Sequence, residues 1–239
     1  MTAMTGKTAL ITGASGGIGL AMAEAFAIAG YQVLAGYHTH PEPIGRLARR
    51  LAGLSIAPVR ADVSKAADVE RLFAGVNADV LINNAGISQT RLFTDITEDD
   101  WDNMLAVNLK SAYLCAKQAL PHMLREKSGC IINISSVWGV TGGSCEVHYS
   151  AAKAGMIGLT KALAKELGPS GIRVNCIAPG VIETAMLDGL TADDRAVLKE
   201  QTPLGKIGLP EEIAKAALFL AESGFVTGEV MNINGGLYI

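Results

Sequence analysis

Lys7-Thr8-Ala9-Leu10-Ile11-Thr12-Gly13-Ala14-Ser15-Gly16-Gly17-Ile18-Gly19 decides how the rest of this chain is read. Lys7 to Thr12 is a short β-branched and apolar run, which predicts a strand. An Ala-rich pattern with helical period follows the glycines and runs to Ala29, and Gly30 ends it as a C-cap glycine. Strand, glycine turn and helix together suit a pyrophosphate. Glycines let the backbone come close, and the helix start offers free N–H groups at a positive dipole end. The spacing is G-x-x-x-G-x-G rather than the commoner G-x-G-x-x-G. A glycine-rich turn without a ligand is the plain alternative.

The chain beyond it keeps alternating. Strands are expected over Tyr31 to Tyr37, Ser55 to Ala61, Ala78 to Ile82, Cys130 to Ile134, Ile172 to Ala178 and Val230 to Asn234. Helices are expected over Pro41 to Leu51, Asp68 to Ala74, Tyr149 to Leu167 and Pro210 to Ala221, and one long helix over Thr97 to about Glu126. Thr97 with Asp100 three residues on reads as its cap, and Pro121 as a kink or division within it. Val181 to Gln201 is polar and Gly-interrupted, with short helical pieces, and reads as a mobile flap. The pattern predicts an α/β fold: a single-domain, Rossmann-type, doubly wound parallel sheet of about seven strands with helices on both faces, spanning residues 1–239. Every glycine- or asparagine-rich motif falls at the carboxyl end of a strand, where such sheets bind ligands.

Composition narrows the classes. The 239 residues are 49% hydrophobic, but charges break each apolar run before the length of a membrane span. No cationic leader is seen, and Met1 to Gly6 reads as a frayed lead-in. A net charge of −3 without a basic cluster argues against a nucleic-acid partner. Cys115, Cys130, Cys145 and Cys176 lack metal-ligand spacing, and the four histidines form no H-x-x-x-H pair. A cytoplasmic protein without a catalytic metal is expected.

Chemistry is suggested further along. Ser136 follows the expected fifth strand, and Tyr149 and Lys153 are four apart at a helix start, so their side chains share one face. A hydroxyl, a phenol and an ammonium can thus converge on a carbonyl oxygen. A free Tyr titrates near 10. A neighbouring Lys is expected to lower that value, and a Ser to hydrogen-bond the oxygen as charge builds. Three unrelated residues near a helix start are the plain alternative.

Taken together, Thr12-Gly13-x-x-x-Gly17-x-Gly19, Asp62-Val63, Asn83-Asn84-Ala85-Gly86, Asn108, Ser136, Tyr149-x-x-x-Lys153 and Pro179-Gly180 resemble the short-chain dehydrogenase/reductase family over nearly the whole chain. The resemblance implies a nicotinamide dinucleotide. Gly13, Ser15, Gly16, Gly17, Ile18 and Gly19 would hold its pyrophosphate, Asp62 and Val63 its adenine, and Asn84, Ala85 and Gly86 the adenosine ribose side. Pro179, Gly180, Ile182 and Thr184 would border the nicotinamide. Lys153 would bond the nicotinamide ribose and tune Tyr149, and Asn108 would position a relaying water. It also implies a homotetramer, or a dimer. For the cofactor form, Tyr37 and His38 stand at the end of the second strand with no acid among Gly36 to His40. That favours NADPH, with NADH as the alternative. Against NADPH, many relatives that use it carry Arg where this chain has Gly16.

Within the family the nearest resemblance is to 3-oxoacyl-[acyl-carrier-protein] reductases, which implies a small-molecule or carrier-bound ketone substrate and a place in fatty acid biosynthesis. Cys130 and Ser170 stand where those reductases tend to carry Arg, and Cys145-Glu146-Val147-His148 replaces their usual approach to the Tyr. Glu146 would disfavour an anionic tail and favour an amine. Trp138-Gly139, Ser144 to Val147, Ser88-Gln89, Leu92 to Asp95 and the tail Asn234 to Ile239 also resemble reductases of 5-aminopentanone-modified elongation factor P. Trp138, Glu146 and Met186 are the expected substrate contacts. A dinucleotide-binding sensor without turnover is the reading from another class.

Overall fold

The computed structural model describes residues 6–239, so most of the expected lead-in, Met1 to Thr5, lies outside the described residues. Seven strands form one parallel sheet: β1 (Thr8–Ile11), β2 (Gln32–Tyr37), β3 (Ile56–Arg60), β4 (Val80–Asn83), β5 (Gly129–Ile134), β6 (Ile172–Pro179) and β7 (Val230–Ile233). Their order is β3-β2-β1-β4-β5-β6-β7, as the alternating pattern predicts. The chain winds one way from β1 to β3 and the other way from β4 to β7. The reversal lies between β1 and β4, and the crevice at such a switch point is where α/β sheets take ligands.

Alternation along the strands feeds both faces. Ala9 and Ile11 of β1, with Val33 and Ala35 of β2, pack under α1 (Gly17–Ile28), α2 (Glu42–Arg50) and α9 (Pro210–Glu222). Leu10 points the other way, as do Leu81 and Ile131, toward α3 (Ala66–Phe73), α5 (Ser111–Glu126) and α7 (Val147–Leu167). Large side chains such as Phe26, Leu81 and Ile131 are fully buried, each contributing roughly 1.5–3 kcal/mol.

The long helix is divided, and not at Pro121. Thr97 and Asp100 form a capping box for α4 (Glu98–Leu105), then a π-helical turn spans Ala106–Lys110 before α5 begins. The cause sits inside that turn. Asn108, fully buried, turns its amide onto the Met104 and Ile87 carbonyls at 3.1 and 3.0 Å. An inserted residue at a functional edge is the usual setting of such a bulge. Pro121 lies inside α5 without ending it. A short α6 (Val137–Thr141), capped by Ser136, was not foreseen. The flap carries a 3₁₀ turn (Ala185–Leu187) and α8 (Ala192–Gln201), the latter under a Thr191–Asp194 capping box.

Candidate active site

The glycine turn closes tightly on the neighbouring strand end. A Cβ at Gly13 would lie 2.8 Å from the Ala85 Cα, and Gly13 holds a left-handed φ of 64°. Asn84 braces the turn: its amide donates to the Thr12 and Gly13 carbonyls, both at 3.0 Å. The Thr12 hydroxyl in turn accepts from the Asn84 and Ala85 backbone N–H groups. Gly16 precedes α1 in extended backbone with no side-chain cap. The first N–H groups of α1 therefore face the crevice without a side-chain partner, the condition for holding an anion.

From this turn a cavity of about 590 Å³ runs along the carboxyl edge. It is lined by Gly13, Ser15, Gly16, Gly17, Ile18, Gly19, Asn84, Ala85 and Gly86 at one end, and by Asn108, Ser136, Trp138, Glu146, Tyr149, Lys153 and Met186 toward the other. Pro179, Gly180, Ile182 and Thr184 complete its wall. Tyr37, His38, Asp62 and Val63 do not line it; they stand farther along the edge, past the ends of β2 and β3. There Asp62 meets Lys65 at 3.2 Å and His38 at 4.0 Å. Burial would raise the Asp62 pKa, but hydrogen bonds from Ser64 and Lys65 outweigh it and hold the carboxyl below its usual value.

Ser136 is held where β5 ends and α6 begins, its hydroxyl accepting from the Trp138 N–H at 3.2 Å. Ser135, one residue earlier, is buried and spends its hydroxyl on the Lys153 carbonyl at 2.8 Å. The Lys153 ammonium is buried, donates to the Ile134 carbonyl at 2.8 Å, and lies 5.6 Å from the centroid of the Tyr149 ring. A Cβ on Gly86 would overlap the Asn108 Oδ1 and crowd the Lys153 Nζ, so only a glycine lets these two approach.

The titration of the phenol differs from the sequence expectation. Burial pushes Tyr149 up to about 12, hydrogen bonding from Ser136 opposes the rise, and the Glu146 carboxylate adds to it. Lys153 itself drops to about 8, again through burial, with Cys176 opposing. Desolvation dominates both shifts because both groups are out of water, and the ammonium is turned to a backbone carbonyl. At neutrality the site therefore holds a protonated phenol beside a cation, which is the arrangement of a proton donor. Glu146, at the start of α7, is half-buried and its pKa is raised by burial.

Thr90 of the 88–90 stretch, with Leu190 and Leu198 of the flap, also lines the cavity. No spacing in the sequence marks these three. The signal for α6 was available, since a Ser before Val137-Trp138 is an N-cap pattern. Among the described residues no group of His, Cys, Asp or Glu could hold a metal, and no helix is long and apolar enough to cross a membrane.

A doubly wound parallel sheet, a glycine turn at its switch point and a Ser, Tyr and Lys gathered along the same edge define a nucleotide-dependent oxidoreductase. The turn fits a dinucleotide: its closely packed glycines and uncapped helix start offer backbone donors and no side-chain obstruction. A family model described as enoyl-(acyl carrier protein) reductase matches residues 13–238. The chain is 41% identical to a 3-oxoacyl-[acyl-carrier-protein] reductase of Thermotoga maritima, across 99% of both chains. It is 39% identical to an uncharacterized oxidoreductase, YmfI, of Bacillus subtilis, across 96% of this chain and 98% of that one. A solved 3-oxoacyl-[acyl-carrier protein] reductase from Brucella melitensis superposes with a TM-score of 0.93 at 36% identity, covering 99% of this chain and 93% of that one. The chain belongs to the short-chain dehydrogenase/reductase family, and it is an NAD(P)-dependent oxidoreductase.

Proposed function

We propose that this protein uses NADPH to reduce a ketone to a secondary alcohol, with a 3-oxoacyl thioester as the first substrate to test. The observation that carries the reduction is the shared cavity, in which Ser136, Tyr149 and Lys153 stand along the sheet edge from the glycine turn. Gly13 to Gly19 would hold the dinucleotide, which when bound supplies the hydride. Tyr149 donates its proton to the carbonyl oxygen, a role that a phenol protonated at neutrality can fill. Ser136 hydrogen-bonds the same oxygen as charge develops. Lys153 places a positive charge beside the phenol and stabilises the phenolate left behind. Asn108 ties the 86–88 stretch to the π turn and so sets the floor under Lys153. The carrier-bound thioester is supported by the relatives of about 40% identity that bear that name. A cytoplasmic homotetramer or dimer is part of the same proposal; exposed Phe219 and Phe225 on and beyond α9 support subunit contact.

One observation favours a second substrate. Glu146 is half-buried and lines the cavity that holds Tyr149. A carboxylate there repels an anionic pantetheine or CoA tail and would pair with an amine, as on 5-aminopentanone-modified elongation factor P. A panel with NADPH decides: an acetoacetyl thioester, an uncharged ketone and an amine-bearing ketone, on wild type and Glu146→Gln. The thioester reading expects turnover of the first, unchanged or raised by the substitution. The amine reading expects turnover of the third, with kcat/KM falling about tenfold in Glu146→Gln. Tyr149→Phe is expected to lower turnover by about 10²–10⁴-fold with nucleotide affinity kept. Equal turnover in that variant would remove Tyr149 from the mechanism, and no turnover on any ketone would return the sensor reading.

A further inference from the structure

His148 stands directly before Tyr149 in the first turn of α7 and is fully buried. Its Nε2 lies 2.9 Å from the Gln89 Oε1, and the Gln89 Nε2 donates to the Asp100 Oδ1 at 3.0 Å. The carboxylate of Asp100 is held ionised chiefly by the Thr97 hydroxyl, then by Gln89 and the Thr97 N–H, and it also receives Arg91 at 2.5 Å. An ionised carboxylate only accepts, so the Gln89 NH₂ must face it and the Gln89 oxygen must face the imidazole. The imidazole nitrogen in that contact therefore carries the proton. The other, Nδ1, is buried and without a partner.

The stretch held by this chain of bonds is a wall of the active cavity. Ser88 and Thr90 line it on either side of Gln89, whose side chain turns inward instead. A second tie runs beside the first, from the Arg91 N–H to the Cys145 carbonyl at 2.8 Å. We propose that His148 is a positioning residue: its neutral Nε2–H pins Gln89, and through it the Ser88 and Thr90 wall, to the helix turn that carries Tyr149. The distance from the wall to the phenol, and so the seat of the substrate, depends on that bond.

The same geometry makes the tie sensitive to acid. Protonation would put a hydrogen on Nδ1, a buried atom that faces no protein acceptor. Burial lowers the His148 pKa; Asp100 opposes that and Arg91 adds to it, while Glu146 and Tyr149 flank it in sequence. The imidazole thus stays neutral through the neutral range, and in acid Nδ1 takes the proton only when the turn opens to water, which parts His148 from Gln89.

Three variants of the full chain test this: His148→Phe, which keeps a ring and removes the donor; His148→Gln, whose amide nitrogen can stand in for Nε2–H without titrating; and Gln89→Leu, which cuts the tie from a half-exposed position. Nitrogen-15 imidazole NMR of wild type is expected to show His148 as the Nε2–H tautomer. Hydrogen exchange over residues 86–96 is expected to quicken about tenfold in His148→Phe and Gln89→Leu, and to stay near wild type in His148→Gln. KM for whichever ketone the panel identifies should rise about tenfold in the first two with kcat little changed. It should also rise in acid for wild type but not for His148→Gln. This last readout rests on the ketone reading; tautomer and exchange do not, so a failed substrate assignment leaves them decisive. An Nδ1–H tautomer, unchanged exchange in both cut variants, or an acid response that persists in His148→Gln overturns the proposal. If His148→Phe does not fold, Gln89→Leu carries the comparison.

Discussion

The two ends of the cavity are built from different material. At the glycine end the wall is largely backbone: Gly13 and Gly19 bring main chain within contact of main chain, and Asn84 and Thr12 lock it by bonds to peptide groups. At the Glu146 end the wall is side chains, delivered by the 88–90 stretch, the α6–α7 turn and the flap. Backbone donors serve any ligand with a pyrophosphate. Side chains from three separate segments serve one substrate. Under the proposed function the first end would take the dinucleotide and the second the ketone.

If the glycine end is a matter of main-chain contact, one added methyl there should break it. A Cβ at Gly19 would fall within 2.9 Å of the Ala14 Cα and closer still to the Gly13 carbonyl. Gly19→Ala is expected to cost about 1–3 kcal/mol of stability and to weaken nucleotide binding at least tenfold, read by thermal unfolding and by nucleotide titration. Wild-type values for both would mean that the turn has slack and that the contrast between the ends is false.

Lys153 lies at the seam and sharpens the comparison, since its ammonium is buried there. Its folded pKa of about 8 is below the value of 10.5 expected when unfolded. Between these pH values the unfolded chain holds a proton that the native state lacks, so stability rises with pH. Below 8 both states are charged and this contribution is flat. The unfolding free energy from urea titration should therefore increase from pH 8 to 10 in wild type, by on the order of 1–2 kcal/mol, and not in Lys153→Met. Tyr149, raised to about 12, works the other way above pH 10, where the unfolded phenol ionises first. Parallel curves for the two proteins would show that Lys153 is not desolvated.

The smallest effect tests where the glycine end is open. A Cβ at Gly16 meets nothing within 4 Å, and its backbone is extended, so any residue fits. Gly16→Arg should leave the melting temperature within about 2 °C while tightening NADPH over NADH by about tenfold, through a guanidinium–phosphate contact. An equal change in affinity for both nucleotides would place the 2′-phosphate elsewhere.

Much of this architecture was legible in the sequence. Period-2 and period-3.6 runs separated by glycine or asparagine gave seven strands and their crossovers, because each face of each strand must be covered. The capping box at Thr97 was read correctly, whereas the division of the following helix was not. The π turn exists because Asn108 bonds to Ile87, which is distant in sequence and close only after β4 and the helix have packed. The direction of the Tyr149 titration was misjudged for a related reason. The spacing of Tyr149 and Lys153 is local, but the desolvation that dominates both is a property of the closed sheet edge above them.

By itself the sequence determined the sheet, the glycine turn and which side of the sheet the chemistry occupies, because hydrophobic period and backbone freedom are written residue by residue. Only the tertiary structure decided that Glu146 lines the cavity, that the Ser135 hydroxyl is spent on the Lys153 carbonyl, and that His148 reaches Gln89. Those are meetings of side chains from separate segments. Their partners are chosen by packing, and no spacing along the chain encodes it.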